Sequence, residues 1–244
     1  MRVAVVSDIH GNLTALEAVL SDLRETSPDL ILHGGDLADA GSSPAEVVDR
    51  VRDLGWPGVA GNTDEMLFRP ESLEEFASQS SASALIWEAL REMAPATRLK
   101  LGAERLAWLR KLPRSRFEGP IGLVHASLGD LWRAPAPEAT DAEFESVYGQ
   151  LGRPIAVYGH IHRPHVRVLS SAKLGPLIVA NSGSVGLPYD GDPRASYLLI
   201  DQLNLTVRRV EYDLDKELKT LSSSPLPRRE WIAKTLRAAR PQMP

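Results

Sequence analysis

Residues 1–12 read MRVAVVSDIHGN, and the fold turns on how this stretch divides. Arg2 to Ser7 is apolar and valine-rich, the composition of a buried strand. Asp8, His10 and Asn12 follow at once. Then Leu13, Leu16, Val19, Leu20 and Leu23 recur at helical spacing. Pro28 ends that helix, and Leu30 to His33 reads as a second strand. Ser43-Pro44-Ala45-Glu46 has the form of a capping box with proline at the first helical position. Val47, Val48, Val51 and Leu54 give the second helix its apolar stripe, and Trp56 to Ala60 reads as a third strand. Strand, helix, strand, helix, strand predicts an α/β fold with a parallel sheet and right-handed crossovers.

The alternation breaks at Met66. From about residue 66 to 112 the chain reads as helical (LEEFASQ, SALIWEALREM, ERLAWLRKL) and is taken as an inserted helical cap. Strand character returns in Ile121 to His125, Ile155 to Tyr158, Val166 to Leu169 and Leu177 to Ala180. Leu131 to Pro137 is a loop, and Thr140-Asp141-Ala142-Glu143 caps a further helix. Ser196 to Ile200 and Leu205 to Tyr212 form a hairpin around Gln202 to Asn204. A basic amphipathic helix closes the chain over about 228–240, with Trp231, Ile232 and Leu236 on its packed side. A single domain over 1–244 is expected.

Composition removes several function classes. The net charge of −4 offers no basic footprint for nucleic acid. Without cysteine there is neither a disulfide framework nor a thiolate metal site. The apolar run before Asp8 is too short for a signal-peptide core, and no segment is long and apolar enough to span a membrane. The expected location is the cytoplasm. The sequence sets no oligomeric state.

The chemistry lies at the strand ends. The five strands are followed in turn by Asp8-Ile9-His10, Gly34-Gly35-Asp36, Gly61-Asn62, His125, and Gly159-His160-Ile161-His162. The carboxyl edge of an open α/β sheet is where ligands bind. In Asp8-x-His10 and His160-x-His162 the outer residues share one side of an extended segment. Asp8, His10, Asp36, Asn62, His125, His160 and His162 together exceed one tetrahedral ion but suit two ions sharing a carboxylate. Imidazole with carboxylate fits manganese, iron, zinc or nickel, with manganese favoured. Two divalent ions less two aspartates leave roughly two positive charges, enough to hold a hydroxide and attract a phosphate.

In this order the blocks D-x-H, GGD, GN, strand-end His and GH-x-H resemble the calcineurin-like metallophosphoesterases. The resemblance runs from Arg2 to about Tyr212. SDIHGN (7–12), GHIHRP (159–164) and NSGSVGLP (181–188) are similar to the bacterial and archaeal phosphodiesterase-like branch. The resemblance implies a four-layer α/β/β/α sandwich with the metals at the sheet edge. It implies Asp8, His10, Asp36 and His162 around one ion and Asp36, Asn62, His125 and His160 around the other, with Asp36 bridging. It further implies that a metal-bound hydroxide attacks phosphorus in a small-molecule or nucleotide phosphodiester.

Thr63 departs from the family pattern, in which many members carry histidine directly after GN as the acid for the leaving oxygen. A threonine hydroxyl is far too weak an acid for that task. Either metal, water or another residue such as His165 helps the leaving group, or the protein is slow on poor leaving groups. Asn12 and His165 are further candidates to touch substrate, although Asn12 equally suits a helix cap and His165 a surface role. Asn181 to Gly186 reads either as a close backbone approach to the metals or as a plain turn. His33 reads as packing, and Asp64 has no assigned role. The alternatives are a phosphomonoesterase or a Ser/Thr protein phosphatase-like enzyme. The latter is disfavoured because no arginine follows the GGD block and GNT replaces GNH. From another class, the alternative is a non-catalytic scaffold of the same fold.

Overall fold

The computed structural model describes residues 1–171 and 175–244. The opening strand, β1 (Arg2–Val6), pairs in parallel with β2 (Leu30–His33) and antiparallel with β8 (Ala195–Asp201). Strand β9 (Asn204–Val210) completes a sheet of order β2-β1-β8-β9. The second sheet has the order β3-β4-β5-β7-β6 and contains β3 (Ser115–Glu118), β4 (Ile121–Val124), β5 (Ile155–Tyr158), β6 (His165–Ser171) and β7 (Gly175–Asn181).

Side-chain alternation turns these sheets into layers. Val3 and Val5 of β1 pack with Ile121, Leu123, Ile155 and Val157 of the other sheet. Ala4 and Val6, pointing the other way, meet the helical residues Leu16, Val19, Val47 and Val51. In β5, Ala156 and Tyr158 turn outward onto Phe144 and Tyr148. Each central strand is therefore apolar on both faces because both are covered. Helices α1 (Leu13–Thr26), α2 (Pro44–Asp53) and α5 (Ala84–Leu109) cover one sheet, and α6 (Asp141–Tyr148) covers the other. This is the expected four-layer α/β/β/α sandwich.

Three local expectations are corrected. Trp56 to Ala60 forms no strand; a single parallel bridge joins His33 to Gly58. β1 consequently has β8 rather than a third parallel strand as its second neighbour, and the sheet is mixed. Ser43 precedes α2 without capping it, since its hydroxyl lies 3.1 Å from that of Ser42. The turn expected at Gly61-Asn62 is the start of a helix, α3 (Asn62–Phe68), four residues before the expected break. α3, α4 (Glu71–Ala77) and α5 fill the stretch read as helical cap, and α5 breaks at Gly102, whose backbone is extended at φ 69°, ψ 173°. The Thr140 capping box forms as read. β3 and α7 (Leu214–Ser223) were not anticipated; α8 (Arg229–Ala238) was. Among the described residues no helix is long and apolar enough to cross a membrane.

The inter-sheet layer sets stability. Leu198 is fully buried there, and Leu198→Ala is expected to cost about 2–5 kcal/mol through lost contacts and a residual cavity. A urea midpoint unchanged from wild type would show that the layer does not carry the fold.

Candidate metal centre

Five of the seven candidate ligands have left-handed backbones: Asp8, His10, Asp36, His160 and His162, with φ between 48° and 65°. Residues with a Cβ adopt this conformation at a cost, and clusters of it mark functional sites. Backbone hydrogen bonds hold the strained turns. Asp8 N–H donates to Gly35 O, and His10 N–H donates to Asp36 O. Gly186 N–H and the Ser184 hydroxyl both donate to Asp8 O. The Asn181–Gly186 segment thus clamps the first candidate ligand from behind.

The turns bring the ligand atoms together. Among the described residues, Asp8, His10, Asp36 and His162 offer atoms that all lie within 4.8 Å of one another. His10 Nε2 is 3.2 Å from His162 Nε2, and His162 Nε2 is 3.2 Å from Asp8 Oδ1. On the other side, Asn62 Oδ1 is 2.9 Å from both His125 Nε2 and His160 Nδ1. The two groups meet at one atom: Asp36 Oδ2 is 3.6 Å from His10 Nε2 and 3.5 Å from His125 Nε2.

Tautomers decide what this geometry means. The Nδ1 atoms of His10, His125 and His162 lie 2.9, 2.8 and 2.6 Å from the carbonyl oxygens of Asp39, Gly34 and Leu187. A carbonyl only accepts, so each Nδ1 carries a proton and each ring turns its Nε2 to the cluster. In the neutral form of these three rings, Nε2 lone pairs then face carboxylates and the Asn62 amide oxygen. Such a set of buried acceptors fits divalent cations, with the backbone carbonyls as the outer partners that orient the imidazoles.

Electrostatics follow the same geometry. Burial raises the pKa of Asp8, but His162, His125 and His10 outweigh it and leave the carboxyl well below the usual range. Burial and the neighbouring His162 depress His10. Burial and His125 lower His160 to about 4. His125 goes the other way: burial opposes its charge, but Asp36 and Asp8 raise it. Asp36 is itself anchored, its Oδ1 accepting from Thr63 N–H at 2.9 Å. Gly61 passes so close to that carboxylate that a Cβ would collide with it.

Asp64, unassigned from sequence, now has a role. Its carboxylate accepts from the N–H groups of Asp36, Leu37 and Gly61 at 2.8, 3.0 and 3.0 Å. Burial and Asp36 push its pKa up. It ties the Asp36 turn to the start of α3, which carries Asn62. The signal was present as an acidic residue at the third position of a helix following a glycine cap. Asn12 caps α1: its Oδ1 accepts from Ala15 N–H at 2.9 Å, and its amide donates to Gly186 O at 3.1 Å. His165 is not brought to the cluster; its ring packs edge-on against Phe144 and Tyr158. His33 is fully buried with no partner on either ring nitrogen, and burial lowers it to about 3, with Arg116 adding to the shift.

A calcineurin-like phosphoesterase superfamily domain model matches residues 1–204. The chain belongs to that superfamily. An uncharacterized protein of Methanocaldococcus jannaschii is 32% identical over 252 residues, covering 96% of both chains. A metallophosphoesterase structure from Sphaerobacter thermophilus superposes with a TM-score of 0.79 at 28% identity, covering 98% of this chain and 99% of that one. A symmetrical bis(5'-nucleosyl)-tetraphosphatase of Aromatoleum aromaticum is 28% identical over 150 residues, 60% of this chain and 52% of its own length.

In this member of the superfamily the cluster forms the floor of a cleft of about 260 Å³. Thr63 lines it, with a buried hydroxyl that has no partner. Tyr189 lines it as well and stacks on His162, ring centroids 4.3 Å apart. The remaining walls come from α5, α8, the Asp39–Ala40 turn, Leu187 and the C-terminal tail at Pro241 and Gln242. Sequence periodicity placed Trp231 on the packed side of α8, but which distant element it would face had no local signal.

Asp64→Ala leaves three buried N–H groups without an acceptor, each costing about 1–3 kcal/mol. It is expected to lower the melting temperature and weaken Mn²⁺ binding by about 10–100-fold, with Asp64→Asn less damaged. Wild-type melting and metal titration curves for Asp64→Ala would remove Asp64 from this role.

Proposed function

We propose that the chain is a dinuclear metal-dependent phosphoesterase that hydrolyses phosphodiester bonds of a small molecule or nucleotide. The observation that carries this reading is the single Asp36 Oδ2 placed between His10 Nε2 and His125 Nε2, with ring nitrogens, a carboxylate and an amide oxygen converging on both sides. Asp8, His10, Asp36 and His162 would hold one ion, and Asp36, Asn62, His125 and His160 the other. Manganese is the favoured metal. When bound, the ions supply the nucleophile at neutral pH and neutralise charge on the phosphoryl oxygens.

The protein's share is orientation. The outer carbonyls fix the imidazoles, Asp64 fixes the Asp36 turn, and Thr63 N–H fixes Oδ1 of Asp36. α5 and α8 shield the floor from bulk water. The leaving oxygen is the weak point. Among the described residues lining the cleft, the hydroxyls of Thr63, Tyr189 and Thr235 are neutral donors, and Asp39 is a carboxyl that burial raises to about 6, with one oxygen held by the Thr97 hydroxyl and the other unpartnered; none of them is the imidazolium that the family pattern places after GN. The reading is therefore an esterase suited to good leaving groups.

Asp36→Ala and His160→Ala are each expected to lower Mn²⁺-dependent hydrolysis of an aryl phosphodiester by about a thousandfold while keeping the circular dichroism of wild type. Undiminished activity in both refutes the assignment.

Across a series of aryl diesters, the rate should fall steeply as the leaving-group pKa rises. Thr63→His should flatten that slope and speed the poorest leaving groups by up to about a hundredfold. A wild-type rate independent of leaving-group pKa would sink the missing-acid account.

A further inference from the structure

The cleft has a polar floor and apolar walls. Ile86, Leu90 and Met93 of α5 share it with Leu187, Trp231 and Ile232. Met93, Leu187 and Ile232 also belong to one buried cluster, which Leu221 and Leu226 complete. The Trp231 indole N–H donates to Gln242 O at 2.8 Å, which draws the C-terminal tail to the rim. Among the described residues lining the cleft, none is lysine or arginine. Arg228, at the start of α8, pairs with Glu92 of α5.

A polyphosphate chain carries about one charge or more on each phosphate, and proteins meet such chains with arginine and lysine. Here only the floor answers an anion, and it answers at one place. The volume of about 260 Å³ falls just below the roughly 300–1,000 Å³ of sites for drug-sized ligands. That is room for one ring, not two nucleosides. We infer that the cleft selects esters of a single phosphate carrying one apolar, ring-sized group seated between α5 and α8, and turns polyphosphates away. The inference rests on the phosphoesterase reading and narrows it away from the tetraphosphatase to which part of this chain is similar.

Binding and hydrolysis test it separately. Calorimetry in saturating Mn²⁺ would compare phenylphosphonate, methylphosphonate and methylenediphosphonate. The wild-type protein should bind phenylphosphonate about tenfold more tightly than either of the others. Trp231→Ala should remove that advantage while leaving methylphosphonate unchanged. Ile86→Arg, a half-buried position in the first turn of α5 outside the main core, should tighten methylenediphosphonate about tenfold and weaken phenylphosphonate. Methylenediphosphonate binding the wild type as tightly as phenylphosphonate overturns the inference, as does equal weakening of all three ligands by both variants. Hydrolysis separates the two levels. Faster cleavage of diadenosine tetraphosphate than of an aryl diester overturns this inference alone. Cleavage of neither overturns the phosphoesterase reading and this inference with it.

Discussion

The carboxylate of Asp36 is the constraint from which the rest of the site follows. One oxygen is held by Thr63 N–H, and the other stands between the imidazoles of His10 and His125. Its own backbone N–H is gripped by Asp64. An anion this buried is costly unless every approach to it is fixed by donors or cations. β2 brings it to the sheet edge, α3 supplies the donor from Thr63, and glycine at 61 allows the two segments to meet.

Strain is spread over the same edge. Asp8, His10, Asp36, His160 and His162 all leave their strands or loops with positive φ, a conformation that glycine would adopt more cheaply. Aspartate and histidine stand there because their side chains are required, and the surrounding backbone hydrogen bonds hold them in place. Asp8 shows the arrangement: Gly186 and Ser184 hold its carbonyl, while its carboxylate accepts from His160 N–H at 3.1 and 3.2 Å. First and last motifs, 152 residues apart, are therefore locked by direct contact.

This explains which parts were legible in the sequence. The buried strands at 2–6, 121–124 and 155–158 read correctly because both their faces are covered and the whole run is apolar. Six of the seven candidate ligands stand out in the sequence because they lie within a few residues of a strand end, whereas Asn62 opens α3 instead. What failed depended on partners. Trp56 to Ala60 has strand composition, but β8 occupies the place beside β1 and leaves it a single bridge. Ser43 has a cap residue's identity, but its hydroxyl turns to Ser42. Asp64 had no readable role because two of its three donors lie on another segment, at Asp36 and Leu37.

Floor and walls of the cleft are also held by different forces. The floor is fixed by directional hydrogen bonds whose loss leaves buried groups unpaired, so it tolerates little change. The walls are fixed by apolar packing in one cluster that joins Met93 of α5 and Ile232 of α8 through Leu187, Leu221 and Leu226, and such packing accepts volume-conserving exchange. A change at Ile86 or Trp231 can therefore reshape what enters the cleft without disturbing the Asp36 cluster beneath. No local pattern could announce this, since Ile86 and Trp231 lie far apart in the chain and come to line one cleft only in the folded protein. The residues of the buried cluster sit in short local motifs, whereas those that wall the cleft are brought together by tertiary packing.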